Sequence, residues 1–250
     1  MKRTIVLSVF ITLLVIFIIA VTVQYVTKGS WKPRPEGMPT AVPSEPGWVN
    51  LLSKDLRSNW RNIKDDTDIF EIGDNSLHIF GRSLGTLRYV GYTAQVFSDF
   101  ELHLEFKLAR RTNSGVFLRA QEKDPVYRGF EIQVLEDYGK APSFTSCASI
   151  YDVASPMFNM SRPAGAWNSY DITAQGGHIV VYMNGWKVID TDLSKMTSPI
   201  GKFEIPFAEL PTEGLVVLQD HGGEVWYRNI LVRTLNATVE NRLPEIPMTE

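Results

Sequence analysis

Cysteine is nearly absent from this chain. The single Cys147 among 250 residues excludes an internal disulfide and any cysteine-built metal centre. Histidine is almost as scarce, and His78, His103, His178 and His221 show no metal-ligand spacing, so a zinc enzyme is not expected. There is no excess of positive charge. A formal net charge of −3 without a basic stripe gives no reason to expect a nucleic-acid partner. From residue 47 onward the sequence also lacks a sustained 3.6-residue apolar period, and with it any long amphipathic helix, and it lacks an internal repeat. What it does have is 44% hydrophobic and 11% aromatic residues, enough for a real core.

One long apolar run stands apart at the N-terminus. Lys2 and Arg3 precede a stretch without charge from Thr4 to Thr27. About 23 residues of helix span roughly 35 Å, enough for a hydrocarbon core of about 30 Å. Residues 1–28 read as an uncleaved signal anchor, with a cleavable signal peptide as the alternative, because the exit around Ala20-Val21-Thr22 is a poor cleavage site. An anchor there with a large domain behind it places that domain outside the cytoplasm, periplasmic or at the cell surface. Lys28, Lys32 and Arg34 keep the charge rule from fixing the orientation. Residues 29–46 carry Pro33, Pro35, Pro39, Pro43 and Pro46 and read as an extended spacer, and residues 236–250 as a loose tail.

Between these lies one domain, residues 47–235, made of short β-rich runs. N-S-L-H-I-F-G, F-E-L-H-L-E-F-K-L, S-G-V-F-L-R-A, G-F-E-I-Q-V-L-E-D and H-I-V-V-Y-M-N-G-W-K-V-I-D are separated by Gly, Pro, Asn and Asp. Asn184-Gly185 suits a two-residue hairpin turn with positive φ at both positions. About a dozen such strands predict an all-β, antiparallel two-sheet jelly-roll sandwich with no helix longer than about three turns.

Alternation then sorts side chains by face. Val116 and Leu118, Ile132 and Val134, Ile150, and Val216 and Leu218 point to the core. Arg119, Glu131, Gln133, Tyr151, Gln219 and His221 take the other phase on four strands. An outer face is ordinarily polar, but this one carries Arg, Gln, Tyr and His with a single carboxylate. That set suits planar hydrogen bonding to a polyhydroxylated ligand. Gly222-Gly223 after His221 let the chain turn away without covering the imidazole.

The same residues resemble a known family, the 3-keto-disaccharide hydrolase domain. The resemblance runs through G-W-V-N-L-L-S-K-D-L-R-S-N-W, N-S-G-V-F-L-R-A, G-F-E-I-Q-V-L-E-D, S-I-Y-D-V, A-G-A-W-N-S-Y-D-I-T-A, V-Y-M-N-G-W-K-V-I-D and G-L-V-V-L-Q-D-H-G-G-E-V-W-Y-R-N-I, in order, from about residue 47 to 235. It implies a concanavalin-like jelly roll acting on sugars, with a polar cleft on the concave sheet at Asn113, Arg119, Glu131, Gln133, Tyr151, Gln219 and His221. The opening departs from the family's usual L-F-N-G-K-D-L, reading L-L-S-K-D-L here.

A ketone at C3 of a sugar acidifies the C2 hydrogen, so a base can start an elimination of the C1 substituent that water later reverses by addition. Such a route needs a base near neutral pH, donors for the enolate and an acid for the leaving group. His221 is the expected acid/base and Glu131 its partner or the second acid/base, with Arg119 and Gln133 on the enolate or ring hydroxyls. E-I-Q-V-L-E at 131–136 is similar to the E-x-D-x-x-E signature of β-glucanases, but Gln133 replaces the middle acid and Glu136 has the opposite phase. Asp137 shares the phase of Glu131 and would be the better second carboxylate. No cofactor is expected, although D-D-T-D at 65–68 offers a candidate structural calcium loop. The expected partners are a carbohydrate and, through the N-terminal segment, a membrane. The competing readings are a non-catalytic carbohydrate-binding module and an envelope protein with a vestigial cleft.

Overall fold

The structure, a computed structural model, describes residues 37–73, 75–82 and 85–235. In chain order its strands are β1 (Val49–Asn50), β2 (Trp60–Asn62), β3 (Phe70–Ile72), β4 (Ser76–Ile79), β5 (Arg88–Phe97), β6 (Phe100–Leu108) and β7 (Asn113–Ala120). They continue as β8 (Phe130–Leu135), β9 (Trp167–Gln175), β10 (His178–Met183), β11 (Trp186–Asp192), β12 (Gly214–Asp220) and β13 (Val225–Thr234). One antiparallel sheet runs β11-β10-β9-β6-β13-β4-β3 with β1 added on β13, and the other runs β2-β5-β12-β7-β8. The only helical pieces among the described residues are 3₁₀ turns of three residues each. The all-β sandwich expected from the sequence is what forms.

The period-2 pattern explains why these segments are strands. In β6, Phe100, Leu102, Leu104 and Phe106 are fully buried while Glu101 and Lys107 stay on the outside. Val116, Leu118, Ile132, Val134, Val216 and Leu218 close the core from the five-stranded sheet. Each such side chain contributes about 1.5–3 kcal/mol on leaving water. The Asn184-Gly185 turn joins β10 to β11 with φ of 50° and 82°, as a two-residue hairpin requires. The Asn184 amide then donates to Met160 O and Asn168 Oδ1, both at 2.8 Å, and ties the hairpin to the loop before β9 and to the start of β9.

Part of the proline-rich segment rests on the sandwich instead of standing clear of it. Thr40 donates from its backbone to Ser169 Oγ at 2.9 Å and from its hydroxyl to Asp171 Oδ2 at 2.7 Å. The other Asp171 oxygen is 2.7 Å from Nδ1 of the buried His103. Residues 4–27, expected to span a membrane, and the tail 236–250 lie outside the described residues. Among the described residues no helix is long and apolar enough to cross a membrane.

The acidic loop at 65–68 is otherwise engaged. Asp65 accepts from Asn62 Nδ2 at 2.8 Å, Thr67 N at 3.0 Å and Arg88 Nε at 3.0 Å. The bonds from Thr67, then Arg88 and Asn62, hold its carboxyl down at about 2. With a guanidinium already on these oxygens the loop is an ion-paired turn, and no described cluster of three acidic, His or Cys side chains suits a metal.

The outer face of the five-stranded sheet is only partly polar. Tyr89, Phe117, Ala120, Leu215 and Val217 form a second buried apolar cluster there, with Ile63, Leu87 and Val126 packed on it. It is the floor beside which the polar residues gather.

Candidate active site

Three strands and one irregular segment assemble the site. β7 contributes Asn113 and Gly115, and β12 contributes Gln219, with His221 one residue past its end. β8 contributes Glu131 and Gln133. The segment 148–151 lies along the free edge of β8, through Ala148 N to Gln133 O (2.9 Å), Gln133 N to Ser149 O (3.0 Å) and Tyr151 N to Glu131 O (3.0 Å). That pairing sets Ser149 and Tyr151 beside Glu131 and Gln133. Gln219 faces Tyr89 across the β12–β5 ladder.

Glu131 and His221 approach each other through β7. The Glu131 carboxyl folds over Gly115, where a Cβ would meet Oε1 at 2.1 Å. Two residues along the same face, roughly 7 Å at strand pitch, Asn113 Nδ2 lies 2.8 Å from His221 Nδ1. Three polar atoms close by, Asn113 Oδ1, Ser149 Oγ and Gln219 Oε1, are buried with no hydrogen-bond partner. Folded proteins rarely leave such groups unpaired, because each costs about 1–3 kcal/mol. Clustered on one face, they are capacity that a hydroxylated ligand can complete.

Glu131, Gln133, Tyr151, Gln219, His221 and Asn113 therefore come together. Gln133 is the most committed of them, since Nε2 donates to Thr145 O at 3.4 Å and Oε1 accepts from Val134 N at 3.1 Å. Its amide secures the 143–149 loop, which narrows its part in binding.

Arg119 does not join them, which corrects the sequence reading. Its φ of 51° breaks the alternation, and the β7–β12 register slips between Leu215↔Ala120 and Val217↔Phe117. Ala120, not Arg119, takes the outer phase with Phe117. The buried guanidinium swings to the end of the sandwich, donating to Ser98 O at 2.8 Å, Gly176 O at 2.7 Å and Asp99 Oδ1 at 3.2 Å. It joins the β5–β6 turn to the β9–β10 turn.

A cation from elsewhere reaches the site. Lys202 belongs to the loop between β11 and β12, and its ammonium lies 4.4 Å from the centre of the Tyr151 ring. Phe203 and Tyr127 are 5.4 and 5.7 Å away. Its backbone N–H donates to Asp152 Oδ2 at 2.7 Å, and Gly201 packs so closely on that carboxylate that a Cβ would meet it at 2.1 Å. No strand alternation or motif marks Lys202 in the sequence. Its place comes from a docking between loops 50 residues apart.

The electrostatics agree with one shared site. Burial pushes the Glu131 carboxyl up to about 7, against the pull of the Lys202 ammonium. Burial holds the His221 imidazole below its ordinary value, opposed by Asp220 and reinforced by Lys202. Burial first and Glu131 second raise the Tyr89 hydroxyl to about 12 and displace the Tyr151 hydroxyl in the same direction. Two cavities flank the half-exposed Tyr127. A cavity of about 440 Å³ there is bordered by Tyr89, Asp124 and Tyr127. Another of about 360 Å³ is bordered by Asp124, Tyr127, Lys202 and Phe203.

Neither of the other two carboxylates on the 131–137 run stands free beside Glu131. Asp137 is buried and accepts from Cys147 N and Asn159 Nδ2, both at 3.0 Å, and from Ser161 Oγ at 3.4 Å. Glu136 caps Arg111 N at 3.1 Å. Both anchor loops, so neither supplies the partner that a two-carboxylate glycosidase needs.

This fold has known counterparts. A structure from Parabacteroides distasonis ATCC 8503, provisionally assigned as a glycosyl hydrolase, matches with a TM-score of 0.64 and 31% identity over 75% of this chain and 99% of its own. Another from the same organism matches in fold, with a TM-score of 0.63 and 22% identity over 76% and 95%. The 3-keto-disaccharide hydrolase of Bacteroides thetaiotaomicron is 33% identical over 179 residues, 57% of this chain and 61% of that protein. The chain thus spans less than two thirds of that relative. Residues 47–233 match the model of the 3-keto-alpha-glucoside-1,2-lyase-like domain, and the chain belongs to that family.

Proposed function

We propose that the protein cleaves glycosidic bonds of 3-keto-disaccharides or related 3-keto-glycosides, with His221 as base and Glu131 as acid. The observation that carries this reading is the approach of Glu131 and His221 on one face through Gly115 and Asn113 of β7, and the opposite displacement of the two groups agrees with it. With Glu131 near 7 and His221 below its ordinary 6.5, a proton on the carboxyl and none on the imidazole coexist around neutral pH. That is the starting state for removing a C2 proton and protonating a leaving oxygen.

The protons balance over a full cycle. His221 takes the C2 hydrogen, and the C–H pair forms the enolate of the C3 ketone. The enolate expels the C1 oxygen, C1=C2 forms, and Glu131 gives the departing oxygen its proton. In the hydration half, Glu131 takes a proton from the water that adds at C1, and His221 returns one to C2. Asn113 serves the imidazole in both states. Its carboxamide can offer nitrogen to a bare Nδ1, or turn over and offer oxygen to Nδ1–H, which frees Nε2 as base. One amide atom lacks a protein partner in either orientation, and a substrate hydroxyl fits that need.

The test is turnover by the full chain of a 3-keto-disaccharide beside the same disaccharide unoxidised, read as released monosaccharide. Cleavage of the keto form alone is expected, with His221→Ala and Glu131→Gln slower by a factor on the order of 10²–10⁴. Binding of both sugars without cleavage of either would favour the sugar-binding module, which the three unpaired polar atoms suit equally well.

A further inference from the structure

Elimination next to a ketone puts negative charge on the C3 oxygen, and the residue expected to receive it, Arg119, is spent on Ser98, Gly176 and Asp99. Resting on the function proposed above, we infer that Lys202 is a further catalytic residue, whose ammonium binds the enolate oxygen formed when the C2 proton leaves.

The observations are geometric. Lys202 makes no ion pair with any described residue, so no carboxylate neutralises its charge. The ammonium sits instead against three aromatic rings, Tyr151, Phe203 and Tyr127, which attract a cation without quenching its field. Its backbone is clamped to Asp152, next to Tyr151, and Tyr151 is itself hydrogen-bonded through its backbone to Glu131. The ammonium over the Tyr151 ring is within electrostatic reach of Glu131. Lys202 also borders the 360 Å³ cavity, so a ligand can reach it.

The charges are consistent through the step. Before reaction Glu131 is protonated up to about pH 7, and Lys202 is the uncompensated cation of the site. When His221 takes the C2 proton, the electron pair of the C–H bond becomes the enolate and the oxygen gains its negative charge beside the ammonium. When that pair expels the C1 oxygen, the charge passes to Glu131 as it donates, and Lys202 faces a carboxylate. A preorganised cation at such an oxygen accelerates by a factor on the order of 10²–10³.

The experiment uses the full chain with a 3-keto-disaccharide and the variants Lys202→Met, Lys202→Gln and Lys202→Arg. The neutral variants should lose on the order of 10²–10³ in kcat with little change in KM, and Lys202→Arg should recover part of the loss. Both limbs of the pH–rate profile should move to higher pH in the neutral variants, because the ammonium holds Glu131 and His221 down. A structural role for Lys202 would shift thermal midpoints and leave those limbs in place. If the wild type cleaves the substrate while a folded neutral variant keeps its kcat and pH limbs, the assignment of Lys202 falls alone. If the wild type cleaves nothing, both proposals fall.

Discussion

The Glu131 carboxyl occupies the space where Gly115 would carry a side chain, with Oε1 2.1 Å from the position of a Cβ. Gly115 stands opposite Gln133, two residues along the ladder from the Phe117↔Glu131 pair, so a missing side chain on β7 makes room for an acid from β8. Gly115→Ala should leave the fold intact, because the displaced atom ends a flexible side chain. Turnover should fall on the order of 10²-fold, the usual consequence of misplacing a reacting group by about 1 Å. Measured kcat at unchanged thermal midpoint checks it.

Glu131 also predicts how stability follows pH. Its folded value of about 7 stands above the ordinary 4.5, so ionisation is disfavoured in the folded state. The protein pays nothing below about pH 4.5 and progressively more as pH rises through 7. At about 1.4 kcal/mol per pH unit the penalty reaches at most about 3 kcal/mol above pH 8. Glu131→Gln should therefore be more stable than the wild type at pH 8.5 in urea titrations, with the difference gone at pH 4. An equal difference at both would show that burial does not govern this carboxyl.

Arg119 tests the division between scaffold and site. Its fork serves three acceptors on two turns, geometry that an ammonium cannot copy. Arg119→Lys should cost about 2–4 kcal/mol, or roughly 5–15 °C in thermal midpoint for a domain this size. At a temperature where the variant is folded, kcat and KM should match the wild type. A large loss of kcat there would return Arg119 to the cleft.

The fate of Arg119 shows what the sequence made legible. Strict alternation placed Glu131, Gln133, Gln219 and His221 correctly, because β8 and the end of β12 run without interruption. It failed at Arg119, where one residue with φ of 51° reversed the phase and no glycine announced the bulge. Asn113 lay at the first position of β7 and was supplied by family resemblance, not by pattern. Lys202 carried no signal at all, since its position depends on Asp152 capturing a backbone N–H from a distant loop. Periodicity reads strands well, and loop-to-loop docking leaves no period to read.

The N-terminal segment offers a separate check. Retention of residues 4–27 as an anchor predicts that the full protein stays with membranes through alkaline carbonate washing. External protease should then digest the sandwich in intact spheroplasts. Recovery of a soluble mature protein beginning after Thr27 would make the segment a cleaved signal.

The central claim is that bond cleavage passes through loss of the C2 hydrogen, and deuterium reads it directly. A 3-keto-disaccharide cleaved by the full chain in D₂O should yield 3-keto-monosaccharide carrying deuterium at C2, and His221→Ala should slow cleavage and exchange together by a factor on the order of 10²–10⁴. Product that retains its original C2 hydrogen, with solvent oxygen at C1 and no primary isotope effect from substrate deuterated at C2, would mean direct displacement at the anomeric carbon and would contradict the account.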